Sequence, residues 1–342
     1  MTREKRVTIT DIAERSGVSI AAVSFALNRR KGVSATTREK VLAVAEELGW
    51  APTTAARSLA EARTETFGLI LARAPETLGI ESFYMRFLAG LEAELAKRSY
   101  GLLLQVAPNR QAELDTLIKW RNARRVDGVL VVDVGVDDPR IELLTRPGAL
   151  PAVVVGHPSV AGGLTSVWTD DAMSMREMLR HLAALGHRRI ARIAGLEHFA
   201  HTRIRDAAFR EEARRLGVEP VLVHSDYTLA SGTQATRDVL STMEQTTALT
   251  YDNDVMAVAG LGVVMELGLR VPQDVSIVAW DDSVLCSHTY PPLTALSHDV
   301  IATGAHVARR LFDVLDGAAP AAFPDSTAAL IARGSTGPAR KD

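Results

Sequence analysis

Thr8-Ile9-Thr10-Asp11-Ile12-Ala13-Glu14-Arg15-Ser16-Gly17-Val18-Ser19-Ile20-Ala21-Ala22-Val23-Ser24-Phe25-Ala26-Leu27 is the stretch on which the reading of this chain turns. Thr8 with Asp11 three residues on has the pattern of a helix N-cap box, and Ile9, Ile12 and Ala13 supply one apolar face. Gly17 can take the left-handed conformation that ends a helix, and Val18 anchors the turn that follows. Ser19 then caps a second helix in which Ala22, Val23, Ala26 and Leu27 recur at helical spacing. Ile20, Ala21, Ser24, Phe25 and Asn28 project elsewhere. Two short helices joined this way outline a helix-turn-helix, whose second helix lies in the major groove with its first residues at the base edges. On that geometry Ile20, Ala21 and Ser24 face bases; the bland alternative is a generic helical hairpin.

Around this stretch the 342 residues are enough for about two or three domains with sizeable cores. The net charge of −2 hides an asymmetry, because residues 1–63 hold 11 Lys and Arg against 7 Asp and Glu while the remainder holds 28 against 34. A basic head on an acidic body suits a phosphate-binding module joined to a part that does not adhere to DNA. No apolar leader and no run of eighteen apolar residues is present, so a cytoplasmic protein without a membrane partner is expected. The single cysteine, Cys286, excludes an internal disulfide and a thiolate zinc cluster, and reads as a core filler.

Ser34 caps a third helix running to about Leu48, with Val41, Leu42, Ala45 and Leu48 as its expected buried stripe. Arg29, Arg30, Lys31 and Gly32 form a basic loop before it, suited to phosphates. The Ala-rich segment Trp50 to Ala60 carries one protruding Leu59 and is marginal as an isolated helix, so it reads as a linker or as a hinge that orders on binding and wedges Leu59 into the minor groove. From Phe67 onward buried strands alternate with helices. Phe67–Leu71, Tyr100–Val106, Val126–Val132 and Ala152–Val155 make one series, with a helix from Phe83 to Lys97 that Gly90 allows to pack closely. Ile190–Ile193, Pro220–Val223, Ala248–Tyr251 and Val275–Ala279 make a second. Such runs argue for two α/β lobes built on parallel sheets, with a ligand cleft between them.

Val7-Thr8-Ile9-Thr10-Asp11-Ile12-Ala13, Gly17-Val18-Ser19, Ala55-Ala56-Arg57-Ser58-Leu59, Gly186-His187-Arg188-Arg189-Ile190, Asn253-Asp254, Gly268-Leu269-Arg270-Val271-Pro272 and Pro291-Pro292-Leu293-Thr294 together carry a resemblance across nearly the whole chain. The chain resembles the lactose-repressor and galactose-repressor family of bacterial transcription regulators. That resemblance implies a homodimer on a pseudo-palindromic double-stranded DNA operator, most simply a repressor, with heads in successive major grooves and paired hinge helices in the minor groove. It implies a core like periplasmic sugar-binding proteins, crossing between lobes near Val167, near Leu293 to Leu296 and near Pro324. The implied division is a head at 1–50, a hinge helix at 51–63, a first lobe at 64–167 with 295–323, and a second lobe at 168–293 with 324–338. Candidate DNA contacts are Thr8, Ser19, Ile20, Ala21, Ala22, Ser24, Phe25, Asn28, Ser34, Thr37, Ala56 and Leu59. Ala22 and Phe25 replace a threonine and an arginine common in the family, so Phe25 either offers apolar surface to thymine methyls or packs on the head's own core.

For the effector, the resemblance points to Phe83, Arg205, Asn253 and Asp281; Trp168 and Trp280 beside buried strands are further candidates with a core role as the alternative, His298 is a candidate by its place on the crossover between lobes, where a glutamine is frequent in relatives, and His157 is a weaker one. Physically these suit a polyol, because Arg205 and Asp281 can take adjacent hydroxyls, Asn253 can donate and accept, and an aromatic ring can cover the apolar side of a sugar. A phosphorylated effector would want more cationic partners, which favours a neutral sugar. An enzyme or a plain binding protein on the same fold is the rival reading. Gly260-Leu261-Gly262 falls inside an expected helix and cannot present amides to a pyrophosphate. Asp281-Asp282 and Asp170-Asp171 point apart as neighbours on a strand and have no histidine cluster beside them, so neither metal nor cofactor is expected. The chain has no leucine heptads after Thr336, and the expected assembly is a dimer.

Overall fold

The computed structural model describes residues 7–28, 31–50, 63–73, 78–243 and 245–340. It divides into two compact units, residues 1–65 and 66–342. The expected hinge helix, with Ala56 and Leu59, lies outside the described residues, as do Arg29 and Arg30 of the basic loop.

Among its described residues the first unit holds three helices, α1 (Ile9–Ser16), α2 (Ile20–Leu27) and α3 (Ala35–Glu47). Thr8 and Asp11 close the expected box: the Thr8 amide donates to Asp11 Oδ2 at 2.7 Å and the Asp11 amide to Thr8 Oγ1 at 3.4 Å. Gly17 ends α1 with φ 67°, its N–H returning to the Ala13 carbonyl. Ser19 and Ser34 cap α2 and α3 by accepting from the Ala22 and Thr37 amides. Ile12, Ala13, Val23, Ala26, Val41 and Ala45 form the core of this unit. Leu42 corrects the expected stripe of α3, because it is 47 % exposed. One residue past Val41 is a turn of about 100°, and a helix packed by only two short partners buries a narrow stripe.

The second unit contains two sheets of six strands. The first lobe begins with β1 (Thr66–Leu71), α4 (Ser82–Leu95), β2 (Gly101–Val106), α5 (Arg110–Asn122), β3 (Gly128–Val131), α6 (Pro139–Leu144), β4 (Ala152–Val155) and β5 (Thr165–Trp168). The second follows with α7 (Asp171–Ala184), β6 (Arg189–Ala194), α8 (Ala200–Leu216), β7 (Glu219–His224), α9 (Leu229–Thr242), β8 (Ala248–Tyr251), α10 (Asp254–Glu266), β9 (Ser276–Trp280), α11 (Val284–His288) and β10 (Thr294–Ser297). The chain then returns through α12 (Val300–Leu315) and β11 (Ala322–Pro324) to the first sheet, and through β12 (Ala329–Ile331) to the second. The strand orders are β11-β5-β4-β3-β1-β2 and β12-β10-β9-β8-β6-β7, parallel throughout except where β12 joins β10. In both sheets the order reverses beside the first strand, which opens a crevice at the strand carboxyl ends.

Each sheet is covered on both faces. Phe67, Leu69, Leu130 and Val153 meet α4 and α12 on one side of the first sheet, while Ile70, Val129 and Val154 meet Leu117 and Trp120 of α5 on the other. Ile193, Leu249 and Ile277 in one cluster, and Ile190, Ala248 and Val278 in another, do the same for the second. This explains why the strands read as continuous apolar runs. Gly90 has a steric cause: a Cβ there would lie 1.9 Å from the Ile301 carbonyl oxygen of α12. One expected boundary shifts. Thr294, Ala295 and Leu296 pair with Val278, Ala279 and Trp280, and Ser297 with Ala329, all in the second sheet, so the second crossing falls at 298–299 and not before residue 295. The third crossing follows Pro324, which pairs with Trp168.

Candidate functional site

In the head, α2 presents an apolar outer face. Ile20 is 53 % and Phe25 38 % exposed, and Ala21 is exposed beside them. Phe25 lies outside the head's buried cluster and rests against Gly32, where an added Cβ would sit 3.3 Å from its Cδ2. Asn28, exposed at the end of α2, folds back on the helix, its Nδ2 donating to the Ser24 carbonyl at 2.9 Å. Thr8, Ser19, Ser34 and Thr37 use their hydroxyls in caps at the starts of the helices, which places backbone N–H groups there at the surface, the arrangement that suits phosphate oxygens.

The core encloses a cavity of about 160 Å³ between its lobes, and Phe83, Trp168, Arg205, Asn253, Asp281 and His298 all line it, as do His157 and Trp280. The fold delivers them to one place because each sits at a strand's carboxyl end, a helix start or a crossing. Phe83 opens α4, Trp168 ends β5, Asn253 caps α10, Asp281 follows β9, and His298 lies on the second crossing. Arg205, in the second turn of α8, is fixed on three sides. Its guanidinium stacks 3.6 Å above the Trp280 ring, donates from Nε to Asp171 Oδ1 at 2.8 Å, brings Nη2 to 2.8 Å from the same oxygen in an ion pair, and reaches Asp252 at 3.9 Å. Asn253 accepts from the Met256 amide at 2.8 Å and donates to the Tyr227 carbonyl and to Glu81 Oε1 at 3.1 and 3.2 Å. Asp281 holds φ 66°, left-handed for a residue with a side chain, and no described residue hydrogen-bonds its carboxyl group. Such a strained, unpartnered group at a cavity wall is a feature of binding sites.

Residues that the sequence did not single out complete the wall. Glu81, Arg73, Tyr84, Asp133, His201 and Tyr227 all line the cavity. Arg73 donates to both Asp133 oxygens at 3.0 and 3.1 Å, and its guanidinium lies over Tyr227 and Phe199 of the other lobe. The lobes also meet where the Ala200 amide donates to the Val134 carbonyl at 2.9 Å and Arg86 to the Asp282 carbonyl at 3.4 Å. Asp171 and Asp281 each have a separate neighbour: Asp170 caps α7, while Asp282 forms a paired contact with Arg333 at 2.7 and 2.8 Å. The two aspartate pairs therefore diverge, and no group of metal-ligating side chains occurs among the described residues. Gly260 lies inside α10, where a Cβ would meet the Tyr251 hydroxyl at 1.9 Å, so this glycine serves packing. Only Asp133 left a trace in the sequence: it follows Val132, where a strand's end would place it at a cleft.

Electrostatics separate the acids of this wall. Burial alone would raise the Asp133 carboxyl, but Arg73, His201 and the Tyr84 hydroxyl bring it down to about 2. Burial, then Asp254, push Asp281 up to about 8 against the pull of Arg205. Burial also raises Glu81. The imidazoles go the other way: burial and Arg205 take His201 down to about 4 and lower His298 too, so both are neutral at pH 7 and can donate and accept. Several polar atoms facing the interior have no protein partner, among them Trp168 Nε1 and Glu81 Oε2. A buried donor and a buried acceptor left unpaired are costly unless a ligand or water completes them.

A family model described as bacterial regulatory proteins, lacI family, matches residues 8–53, and one described as a periplasmic binding protein-like domain matches residues 179–336. The HTH-type transcriptional regulator CelR of Thermobifida fusca is 32 % identical over 323 residues, 93 % of this chain and 94 % of its own. The chain belongs to the lacI family of bacterial regulatory proteins. The HTH-type transcriptional repressor PurR of Escherichia coli O139:H28 is 31 % identical over 310 residues, 90 % of this chain and 89 % of its own. Among solved structures, the lac repressor dimer bound to operator and the anti-inducer ONPF superposes with TM-score 0.84 at 27 % identity, covering 97 % of this chain and all of that one. The CelR–cellobiose complex superposes with TM-score 0.74 at 29 % identity, covering 96 % and 100 %. The regulator is thus a DNA-binding transcriptional regulator of a family that is not enzymatic, with a helix-turn-helix head and a two-lobed, periplasmic-binding-protein-like core. No described helix of it is long and apolar enough to cross a membrane.

Proposed function

We propose that the regulator is a cytoplasmic repressor that binds a pseudo-palindromic operator as a homodimer and is controlled by a neutral sugar held between its lobes. The observation that carries the effector reading is the composition of the cavity wall. Unpaired donor and acceptor atoms on Trp168 and Glu81, with the free Asp281 carboxyl, stand among the Phe83, Trp168 and Trp280 rings. Hydroxyls alternate donor and acceptor around a sugar whose faces are apolar, and this wall offers both. Relatives support the class: CelR is solved with cellobiose, and a 29 % identical relative is the ribose operon repressor of Escherichia coli. A ligand that engages both lobes favours one closure, and through residues 51–63 changes how two heads sit on DNA, with Ala56 and Leu59 at the minor groove.

The test is a mobility shift of the full chain on a palindrome with a central CG step, at stated salt because phosphate contacts depend steeply on it. A panel of neutral sugars is added. Release, or strengthening, by one sugar supports the reading and tells inducer from corepressor. Binding of DNA that no sugar alters contradicts its effector half.

A further inference from the structure

Six carboxyl groups and two guanidinium groups line the cavity among its described residues. Most of this charge is answered. Asp133 takes Arg73, Asp171 takes Arg205, Asp252 takes both Nη2 hydrogen bonds of the buried Arg192, and Asp325 meets His306 and Thr303. Glu81 and Asp281 are left over. Glu81 is only 8 % exposed, receives one hydrogen bond from Asn253 across the cleft, and keeps Oε2 without a partner.

We propose that Glu81 selects the effector by charge: in the closed cleft it and Asp281 form an acceptor wall that takes hydroxyl donors and rejects carboxylate and phosphate. This rests on the reading of the cavity as a sugar site and adds which sugars enter it. Glu81 belongs to the first lobe and Asn253 to the second, so the acceptor is aimed only when the lobes meet. Burial already holds the Asp281 proton up to about 8 and raises Glu81, so the pocket resists even its own charge. With Asp281 mostly protonated at pH 7, an incoming anion meets the Glu81 carboxylate as like charge in a poorly solvated space, which weakens its binding. Arg205 does not reverse the balance, because Asp171 and Asp252 flank it.

The experiment is calorimetric titration of the full chain and of Glu81→Gln at pH 7, with sugars in pairs: glucose with glucuronate, galactose with galacturonate, ribose with ribose 5-phosphate, and cellobiose with cellobionate. Glutamine keeps an oxygen for Asn253 and removes the charge. The expected result is a neutral member that binds at least about a hundredfold more tightly than its acidic partner, and a gap narrowed at least about tenfold in Glu81→Gln. A gap unchanged in the variant overturns the proposal, as does an acidic member that binds the native chain as tightly as the neutral one. Silence of every pair contradicts the sugar reading instead, and a second measurement then decides Glu81. Thermal midpoints without sugar should rise in Glu81→Gln at pH 8 more than at pH 5, since an uncompensated buried acid weakens the fold more as it ionises. Equal rises at both values overturn the role of Glu81.

Discussion

Asp281 lines the cavity with a carboxyl group whose burial weakens the fold. Its folded carboxyl titrates near 8, against about 4 for an ordinary aspartate. The folded state thus holds this proton more tightly than the unfolded one, and stability falls as pH rises between those values, then levels off. Asp281→Asn should raise the thermal midpoint by a few degrees at pH 8.5, leave it nearly unchanged at pH 4, and weaken sugar binding at least about tenfold. A variant that is neither more stable at pH 8.5 nor poorer in binding contradicts this role for Asp281. At the other end of the chain, Ile20, Ala21 and Phe25 have no hydrogen-bonding side chain to offer a base edge, whereas thymine presents a methyl group in the major groove. Replacing the contacted operator thymines by uracil should weaken binding about tenfold or more, since each buried methyl is worth roughly 0.8 kcal/mol and several are removed together. Equal affinity for the uracil operator, measured by mobility shift, would exclude methyl reading.

At the scale of elements, the contact of α4 with α12 depends on Gly90, which faces the Ile301 carbonyl, and on Gly304, which faces the Phe87 carbonyl. Gly90→Ala should cost about 1–3 kcal/mol or more, read by chemical denaturation, because a backbone oxygen cannot step aside as a side chain can. Asn253→Ala removes the α10 cap, a loss of about 1 kcal/mol, and also the donor to Glu81 across the cleft. Local signals make these elements legible. Thr8, Ser19 and Ser34 announce their helices, Gly17 its turn, and apolar runs such as Val129 to Val132 their strands. The short pieces near the chain's end are less readable. Residues 295–297 fall in the wrong lobe on sequence alone, because five residues between prolines and a histidine carry no mark of the sheet they join; pairing with β9 decides that. The site divides likewise. Arg205, Asn253 and Asp281 can be found by family correspondence, while Glu81 and Arg73 enter the cavity through tertiary packing, which no spacing along the chain encodes.

In the whole molecule, a helix-turn-helix head shares one chain with a two-lobed core that lines a cavity between its lobes. Light scattering of the full chain at micromolar concentration should give a dimer, and a monomer there would leave a palindromic operator without its matching two-fold partner. The core's own response depends on contacts between lobes that can be made or broken, among them Asn253 with Glu81 and Arg73 over Tyr227. A sugar engaging both sides shifts that balance only by the difference in its affinity for the two arrangements. The most direct measurement is operator affinity, with and without the sugar found to act, for the native chain and for Arg205→Ala with Asp281→Asn. The double variant should bind operator within about threefold of the native chain and no longer respond to the sugar, whose differential binding has been removed. An undiminished response in that variant would place the effector outside this cavity and contradict control from between the lobes.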